Sequence, residues 1–393
     1  LNSDLLTSDI QDFISKHLDA SMSKLVLKGT PFNINTKVIV EQIEAKNRCR
    51  TKLPTWFNTP NIYYPNKLNI EQTSSEITAE YKSNLISGRT IIDLTGGFGV
   101  DCFYFSKKFE EVTHCDINES LSKIVAYNYQ QLLVNNIGTV NIDGIEYLKS
   151  NKKKFDWIYI DPSRRHDRKG KVFFLNDCLP NVPKHLNMLF EYTQNIMVKT
   201  SPLLDIMAGT NELKQVKTIH VVAVNNEVKE LLWILEKDYK GDITLETINI
   251  SKVKTEQFTT TFKTEQAAIV DYNKPLNYLY EPNAAILKAG AFKSIAEKLP
   301  VSKLEKHSHL YTSNSLVDFP GRQFKIEKIV PYNKKALKKL NISRANVTTR
   351  NFPENVQHIR KKLNIKDGGD NYLFFTTLID GEKTVLLTKK VNT

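Results

Sequence analysis

Hydrophobic and polar positions fall into three successive patterns along this chain. Over residues 1 to about 85, apolar positions recur at helical spacing among polar ones, which predicts helices at Asp9–Leu18, Asn35–Arg50 and Ile70–Leu85. Val38, Ile39, Ile43 and Cys49 line one side of the second. A connector rich in proline and aromatics (Pro54, Trp56, Pro60, Tyr63, Tyr64, Pro65) precedes the third. From Arg89 short apolar runs alternate with amphipathic stretches. Strands are predicted at Ile91–Leu94, Glu111–Asp116, Thr139–Ile142, Phe155–Ile160, Asn195–Lys199 and Thr218–Val224. Helices are predicted at Val100–Phe109, Glu119–Val134, Ile145–Lys149, Asp177–Tyr192, Leu203–Leu213 and Val228–Glu236, with β-rich pieces Ile243–Ile250 and Gln257–Phe262 closing the region. Such alternation implies βαβ units and an α/β, Rossmann-like sheet, mostly parallel with helices on both faces. The last stretch, Pro275–Thr393, mixes a helix at Ala284–Leu299 and a basic helix at Asn355–Leu363 with strands at Phe324–Val330, Ala345–Thr349, Asn371–Leu378 and Thr384–Leu387. It reads as a small α+β domain.

The first strand runs into Asp93-Leu94-Thr95-Gly96-Gly97-Phe98-Gly99-Val100-Asp101. Glycine admits positive φ and lets a ligand approach the backbone, so this is a strand, a tight turn and a helix start suited to a nucleotide. No Gly-Lys-Ser/Thr follows, which excludes a P-loop. The third helix leads into this turn. Its Gln72, Ser74 and Ser75 either cover the open mouth or form a plain solvent-facing cap.

Four acids close successive strands: Asp93, Asp116, Asp143 and Asp161. Ligands of parallel sheets bind at the carboxyl ends of the strands. Each acid alone is also a common helix cap or turn residue. Together, beside a glycine turn, they suggest a crevice for a nucleoside. Asp116 lies nineteen residues after Gly97, about where an acid accepts from ribose hydroxyls. Asp143, followed by Gly144, is placed for an adenine amine, with Ile117 and Ile142 as apolar neighbours of the ring.

Charge changes the picture of the third region. The net charge is +12, and Pro275–Thr393 carries 21 Lys/Arg against 10 Asp/Glu, leaving 34 against 33 before it. That is either a solvated surface or the footprint of a polyanion, and the segregation favours nucleic acid. Cys49, Cys102, Cys115 and Cys178 show neither metal-ligand spacing nor disulfide density, so buried thiols and no metal are expected. The first twenty residues, with Asp4, Asp9 and Asp12, do not read as a signal peptide, and no apolar run reaches the ~18 residues of a membrane span. A cytoplasmic protein with no membrane partner is expected.

After the fourth strand comes Asp161-Pro162-Ser163-Arg164-Arg165-His166-Asp167-Arg168-Lys169-Gly170-Lys171. Five cations in eight positions are either an exposed basic loop or a grip for a phosphate backbone through Arg164, Arg165, Arg168, Lys169 and Lys171.

These residues carry a resemblance. Arg89 to Phe262 is similar to a class I S-adenosylmethionine-dependent methyltransferase, Asp93–Gly99 resembling its first motif with Thr95 where the first glycine usually falls. The resemblance implies an S-adenosyl-L-methionine cofactor held by Asp93, Leu94, Thr95, Gly96, Gly97, Gly99, Asp101, Asp116, Ile117, Asp143, Gly144 and Asp161. Asp161-Pro162 resembles the fourth motif at the target base, with Arg164 and Arg165 beside it as candidate catalytic residues. More narrowly, the Glu71–Glu76 segment, the Asp-Pro-Ser-Arg-Arg loop, Val198-Lys199-Thr200-Ser201-Pro202 and Tyr280-Glu281-Pro282-Asn283 resemble a bacterial, bacteroidetes-type family with a THUMP-like C-terminal domain. The layout it implies is a helical region at 1–88, a methyltransferase domain at 89–274, a ferredoxin-like segment at 275–316 and a THUMP-like RNA-binding domain at 317–393. RNA, as tRNA or rRNA, is the implied partner.

Within that resemblance, exocyclic-amine methylases usually follow Asn/Asp-Pro-Pro with an aromatic, which Asp-Pro-Ser-Arg lacks. Carbon methylation of uridine needs a cysteine nucleophile after the fifth strand, where this chain has Thr200-Ser201-Pro202. Transfer to a base nitrogen is the remaining expectation. A non-catalytic RNA-binding protein on the same fold, or a methyltransferase for a small molecule or protein, are the alternatives.

Overall fold

The computed structural model describes residues 1–164 and 174–391. The chain divides into two compact units, Leu1–Val216 with Leu232–Tyr239, and Lys217–Leu231 with Lys240–Thr393.

The first unit opens with helices α1 (Ser8–Lys16), α2 (Met22–Lys28), α3 (Thr36–Lys52), α4 (Pro54–Asn58), α5 (Lys67–Gln72) and α6 (Glu76–Leu85). Leu5, Ile10, Ile14, Ile39 and Ile43 form a small core of their own. The single helix expected over Ile70–Leu85 is therefore two. Thr73 and Ser75 take extended φ/ψ, and the Ser75 side chain accepts from Thr78 N as the N-cap of α6. That break sets Ser74 off the helix.

Strand β1 (Gly88–Asp93) is followed by α7 (Val100–Phe105), β2 (Phe109–Cys115), α8 (Glu119–Gln131), β3 (Ile137–Val140), α9 (Gly144–Asn151) and β4 (Trp157–Ile160). A two-stranded ladder, β5 (Ser163–Arg164) with β6 (Cys178–Leu179), precedes α10 (Val182–Tyr192), β7 (Asn195–Thr200) and α11 (Ile206–Glu212). Then come β8 (Val216–Val224) and β9 (Glu227–Glu236), the latter shared between the units. In the first unit the strand order is β9-β7-β4-β1-β2-β3, with β1 parallel to β2 and β4, β2 to β3, and β4 to β7. The mostly parallel α/β sheet is as expected. The order reverses between β1 and β4, and ligand crevices open at such switch points.

One face of this sheet shares its core with the helical region. Trp56, Tyr64 and Ile70 are buried with Phe98, Phe103 and Phe105, and the Trp56 and Phe103 rings lie 4.9 Å apart edge to face. Each such side chain taken from water stabilises by roughly 1.5–3 kcal/mol.

The helix expected at Val228–Glu236 is strand β9. Asn225 and Asn226 both take positive φ (51° and 62°), the two-residue turn that reverses a chain between strands. Leu231, Leu232, Trp233 and Leu235 are fully buried, and a continuous apolar run has no period by which to tell strand from helix.

In the second unit β11 (Thr255–Thr261), β10 (Thr244–Ile250), β8 and the first half of β9 are neighbours in that order. After α12 (Phe262–Ala267) comes a seven-stranded sheet of order β13-β14-β12-β15-β18-β17-β16. Its strands are β12 (Tyr278–Pro282), β13 (Ser302–Lys303), β14 (Tyr311–Ser313), β15 (Gly321–Pro331), β16 (Asn346–Arg350), β17 (Asn371–Thr377) and β18 (Lys383–Lys390). The helix expected at Ala284–Leu299 is divided into α13 (Ala284–Ala289) and α14 (Ser294–Lys298), because Gly290 ends α13 in the left-handed region. Two further helices are α15 (Lys334–Lys339) and α16 (Val356–Leu363).

Candidate active site at the strand tips

The turn after β1 is held from beneath. Thr95 donates both its backbone N–H (2.8 Å) and its hydroxyl (3.1 Å) to Asp93 Oδ1, and Cys102 Sγ lies 3.5 Å from Oδ2. Asp93 is 2% exposed, and burial, with the Asp101 and Asp161 charges adding, pushes its pKa up to about 8. Its carboxyl thus serves the turn rather than the open crevice.

Gly96 N donates to Cys115 O (2.8 Å) and Gly97 N to Asp116 Oδ2 (2.9 Å), stitching the turn to the end of β2. A Cβ on Gly96 would sit 2.2 Å from His114 Nε2, and one on Gly99 2.2 Å from the Tyr129 hydroxyl. Those two glycines are required by packing. At Gly97, with φ +54°, a Cβ would meet only Thr95 O at 3.7 Å, so this glycine faces open space. His114 is fully buried, and burial lowers its pKa. A carbonyl oxygen can only accept, so the ring donates from Nε2 to Gly97 O at 3.2 Å.

The other tips follow from the parallel register. Asp116 is half-buried and accepts from Gly97 N and Asn118 N, while Ile117 beside it is 74% exposed. Asp143 is exposed and its Oδ1 caps α9 by accepting from Ile145 N and Glu146 N. A Cβ on Gly144 would be 2.6 Å from Leu94, so Gly144 packs the β1 tip, where Leu94 is buried.

Asp161 follows β4. Its backbone N–H donates to Thr95 Oγ1 at 2.7 Å, and its Oδ2 is paired with Lys199 Nζ from the end of β7. Lys199 Nζ also donates to Ser74 Oγ at 3.4 Å. Ser74 in turn donates to Asp101 Oδ2 (2.8 Å) and accepts from Lys82 Nζ (3.1 Å). Lys82, wholly buried, lies 3.2 Å from Asp101 Oδ1, and Tyr159 donates its hydroxyl to Oδ2 at 2.9 Å. Burial would raise the Asp101 pKa, but Lys82, Lys199 and these hydrogen bonds hold its carboxyl below the usual range. Asp101 is therefore a charge inside the structure. Pro162 is buried beside Asp161.

The structure brings Thr95, Gly97, Asp116 and Asp161 together at one edge of the sheet, with Asp143 at the neighbouring tip. The expected basic residues Arg165, Arg168, Lys169 and Lys171 lie outside the described residues, and of Arg164 only the backbone, in β5, is described. Among the described residues no group of His, Cys, Asp and Glu is arranged to hold a metal, and no helix is long and apolar enough to cross a membrane. All four cysteines are buried and free. Sequence reasoning missed Lys199, Lys82 and His114. A lysine ending the apolar run Ile196-Met197-Val198 was the available signal for the first.

Residues 278–320 match a ferredoxin-like domain family and residues 321–390 a THUMP domain-like family. The whole chain is similar to a solved structure, a candidate methyltransferase from Porphyromonas gingivalis W83, at 31% identity and a TM-score of 0.88, covering 100% of this chain and 99% of that one. It is 24% identical over 162 residues to the ribosomal RNA small subunit methyltransferase J of Francisella tularensis subsp. holarctica, which is 39% of this chain and 63% of the relative. The chain thus spans under two thirds of that curated relative. It is also 31% identical over 75 residues to an uncharacterised RNA methyltransferase of Mycoplasma mobile, 19% of this chain and 21% of the relative.

Proposed function

The chain belongs to the class I S-adenosylmethionine-dependent methyltransferase family with a THUMP-like C-terminal domain, and from that premise we propose that it methylates a nitrogen of a base in tRNA or rRNA. The observation that carries the reading is Asp161, partly exposed at the switch point, with its backbone tied to the glycine turn and one carboxylate oxygen held from behind.

The residues at the strand tips fit the cofactor. Gly97 leaves room where a side chain would intrude. Asp116 keeps acceptor capacity beyond its two backbone donors, which suits ribose hydroxyls. Asp143 is exposed for the adenine amine, and Ile117 offers apolar surface beside it. The bound cofactor supplies a methyl group on a sulfonium, ready for in-line displacement. The chain's own work is then positioning, which alone can supply much of a rate. Asp161 accepts a hydrogen bond from the target amine and fixes its approach. A base in a duplex has to leave the stack to reach it.

RNA as the acceptor is supported by the excess of 21 Lys/Arg over 10 Asp/Glu after Pro275 and by the rRNA and RNA methyltransferases among the relatives. Asp161→Ala is expected to abolish transfer while leaving cofactor affinity, measured by calorimetry, largely intact. Transfer at the wild-type rate would sink that role. Mass spectrometry of nucleosides from a deletion strain is expected to show one methylated base missing from its RNA; an unchanged set would remove RNA as the acceptor.

A further inference from the structure

The helical region before β1 reaches into the candidate active site through one hydroxyl. Ser74 Oγ has one proton and two lone pairs to offer. The proton goes to Asp101 Oδ2, and the oxygen accepts from Lys82 Nζ and Lys199 Nζ. Two ammonium groups thus share one neutral oxygen, whose own proton goes to the buried Asp101. Lys82 is fully buried and the Lys199 side chain is 12% exposed, whereas that of Asp161 is 33% exposed. The chain of contacts runs from inside to outside as Lys82, Asp101, Ser74, Lys199, Asp161. Only its last member meets solvent appreciably.

A lysine has a flexible four-carbon stem and a point charge, so one contact would not fix it. Lys199 is held by both Ser74 Oγ and Asp161 Oδ2. Its pairing with Asp161 Oδ2 restricts the rotation of that carboxylate. Resting on the reading of Asp161 given above, we propose that Lys199 is a positioning residue that aims the Asp161 carboxylate at the acceptor amine. Ser74, from the break between α5 and α6, holds Lys199 in place. The N-terminal helical region is then part of the catalytic apparatus of this chain, and the site is incomplete without it.

The test uses the full-length protein, tritiated S-adenosylmethionine and total RNA from cells lacking the protein as acceptor. Lys199→Met is expected to lower kcat roughly ten- to hundredfold, the scale of a misplacement of about 1 Å, with cofactor Kd and melting temperature near wild type. Lys199→Arg, which restores the charge, is expected to recover part of the loss. Ser74→Ala, a small neutral change that serves if the lysine variant fails to fold, is expected to lower kcat in the same direction with KM less affected. Wild-type kcat in either Lys199→Met or Ser74→Ala overturns the proposal, as does a loss of kcat matched by lost cofactor binding. Asp161→Ala separates the two readings: full activity there defeats the role of Asp161 itself, whereas an inactive Asp161→Ala beside a fully active Lys199→Met defeats only the positioning role.

Discussion

Thr95 Oγ1 accepts the backbone N–H of Asp161 at 2.7 Å and donates to Asp93 Oδ1 at 3.1 Å. One hydroxyl therefore joins the end of β1 to the residue after β4, across the point where the strand order reverses. A glycine at this position, the usual residue in the motif that the turn resembles, would leave both groups to find other partners. Thr95→Val keeps the shape but removes the acceptor. It is expected to cost about 1–3 kcal/mol in denaturant unfolding, the penalty for an unmatched polar group. Thr95→Ser, which keeps the oxygen, is expected to stay close to wild type, and equal losses for the two would assign the effect to packing instead.

Asp93 makes stability depend on pH in a direction opposite to that of most carboxylates. Its folded pKa of about 8 stands against the ordinary 3.8. Between those values the unfolded chain has released this proton and the folded chain has kept it. The unfolded state binds fewer protons, so stability falls as pH rises through the window and levels off above about 8. The slope is at most about 1.4 kcal/mol per pH unit. Asn resembles the protonated acid, so the stability of Asp93→Asn relative to wild type is expected to grow steadily from pH 5 to pH 8. Denaturant midpoints at four pH values check this, and a difference independent of pH would refute it.

The glycines of the turn are expected to separate stability from binding. Gly97→Ala places a methyl group in open space at φ +54°, which costs about 1–2 kcal/mol for the left-handed backbone. Its main effect should be a loss of cofactor affinity in calorimetry, because that space is where the ligand would lie. Gly96→Ala puts a Cβ 2.2 Å from His114 Nε2, and overpacking of that kind destabilises by about 1–3 kcal/mol or more. A Gly97→Ala protein that binds the cofactor as wild type does would place the ligand elsewhere.

The strand tips were legible because each acid ends an apolar run, and β-sheet physics places such ends on one edge. The spacing of nineteen residues put Asp116 at the tip of the second strand near the glycine turn, whereas its hydrogen bond from Gly97 N is visible only in the fold. Strand β9 was not legible, since Leu231, Leu232, Trp233 and Leu235 are all buried and the apolar run carries no period. Nor was the break at Thr73–Ser75, where the Ser75 cap outweighs a continuous apolar pattern. The Ser74–Lys199 contact joins residues 125 apart in sequence. Such a pairing depends on how the helical region packs against the sheet, and neither residue's local pattern carries that information.

The charge of the C-terminal region makes a quantitative statement about RNA. Helix α15 presents Lys334, Lys335, Lys338 and Lys339, all exposed, while Leu337 faces inward. Lys334 and Lys338, with Lys362, rim a hollow of about 120 Å³ floored by Leu337, Ile342 and Leu373. Each phosphate neutralised by a lysine contributes roughly 0.7–0.9 to the slope of log affinity against log salt. Replacing the four α15 lysines by glutamine is therefore expected to reduce that slope by up to about 3.6 for bulk tRNA or a ribosomal RNA fragment between 50 and 200 mM salt. Affinity should fall similarly for different RNA sequences, because phosphate contacts carry no sequence information. Cofactor affinity should not change, since none of the four lysines is among the strand-tip residues. Filter binding across the salt series measures the slope directly, and a slope equal to wild type would show that these lysines are a solubilising surface and that the RNA footprint lies on other residues.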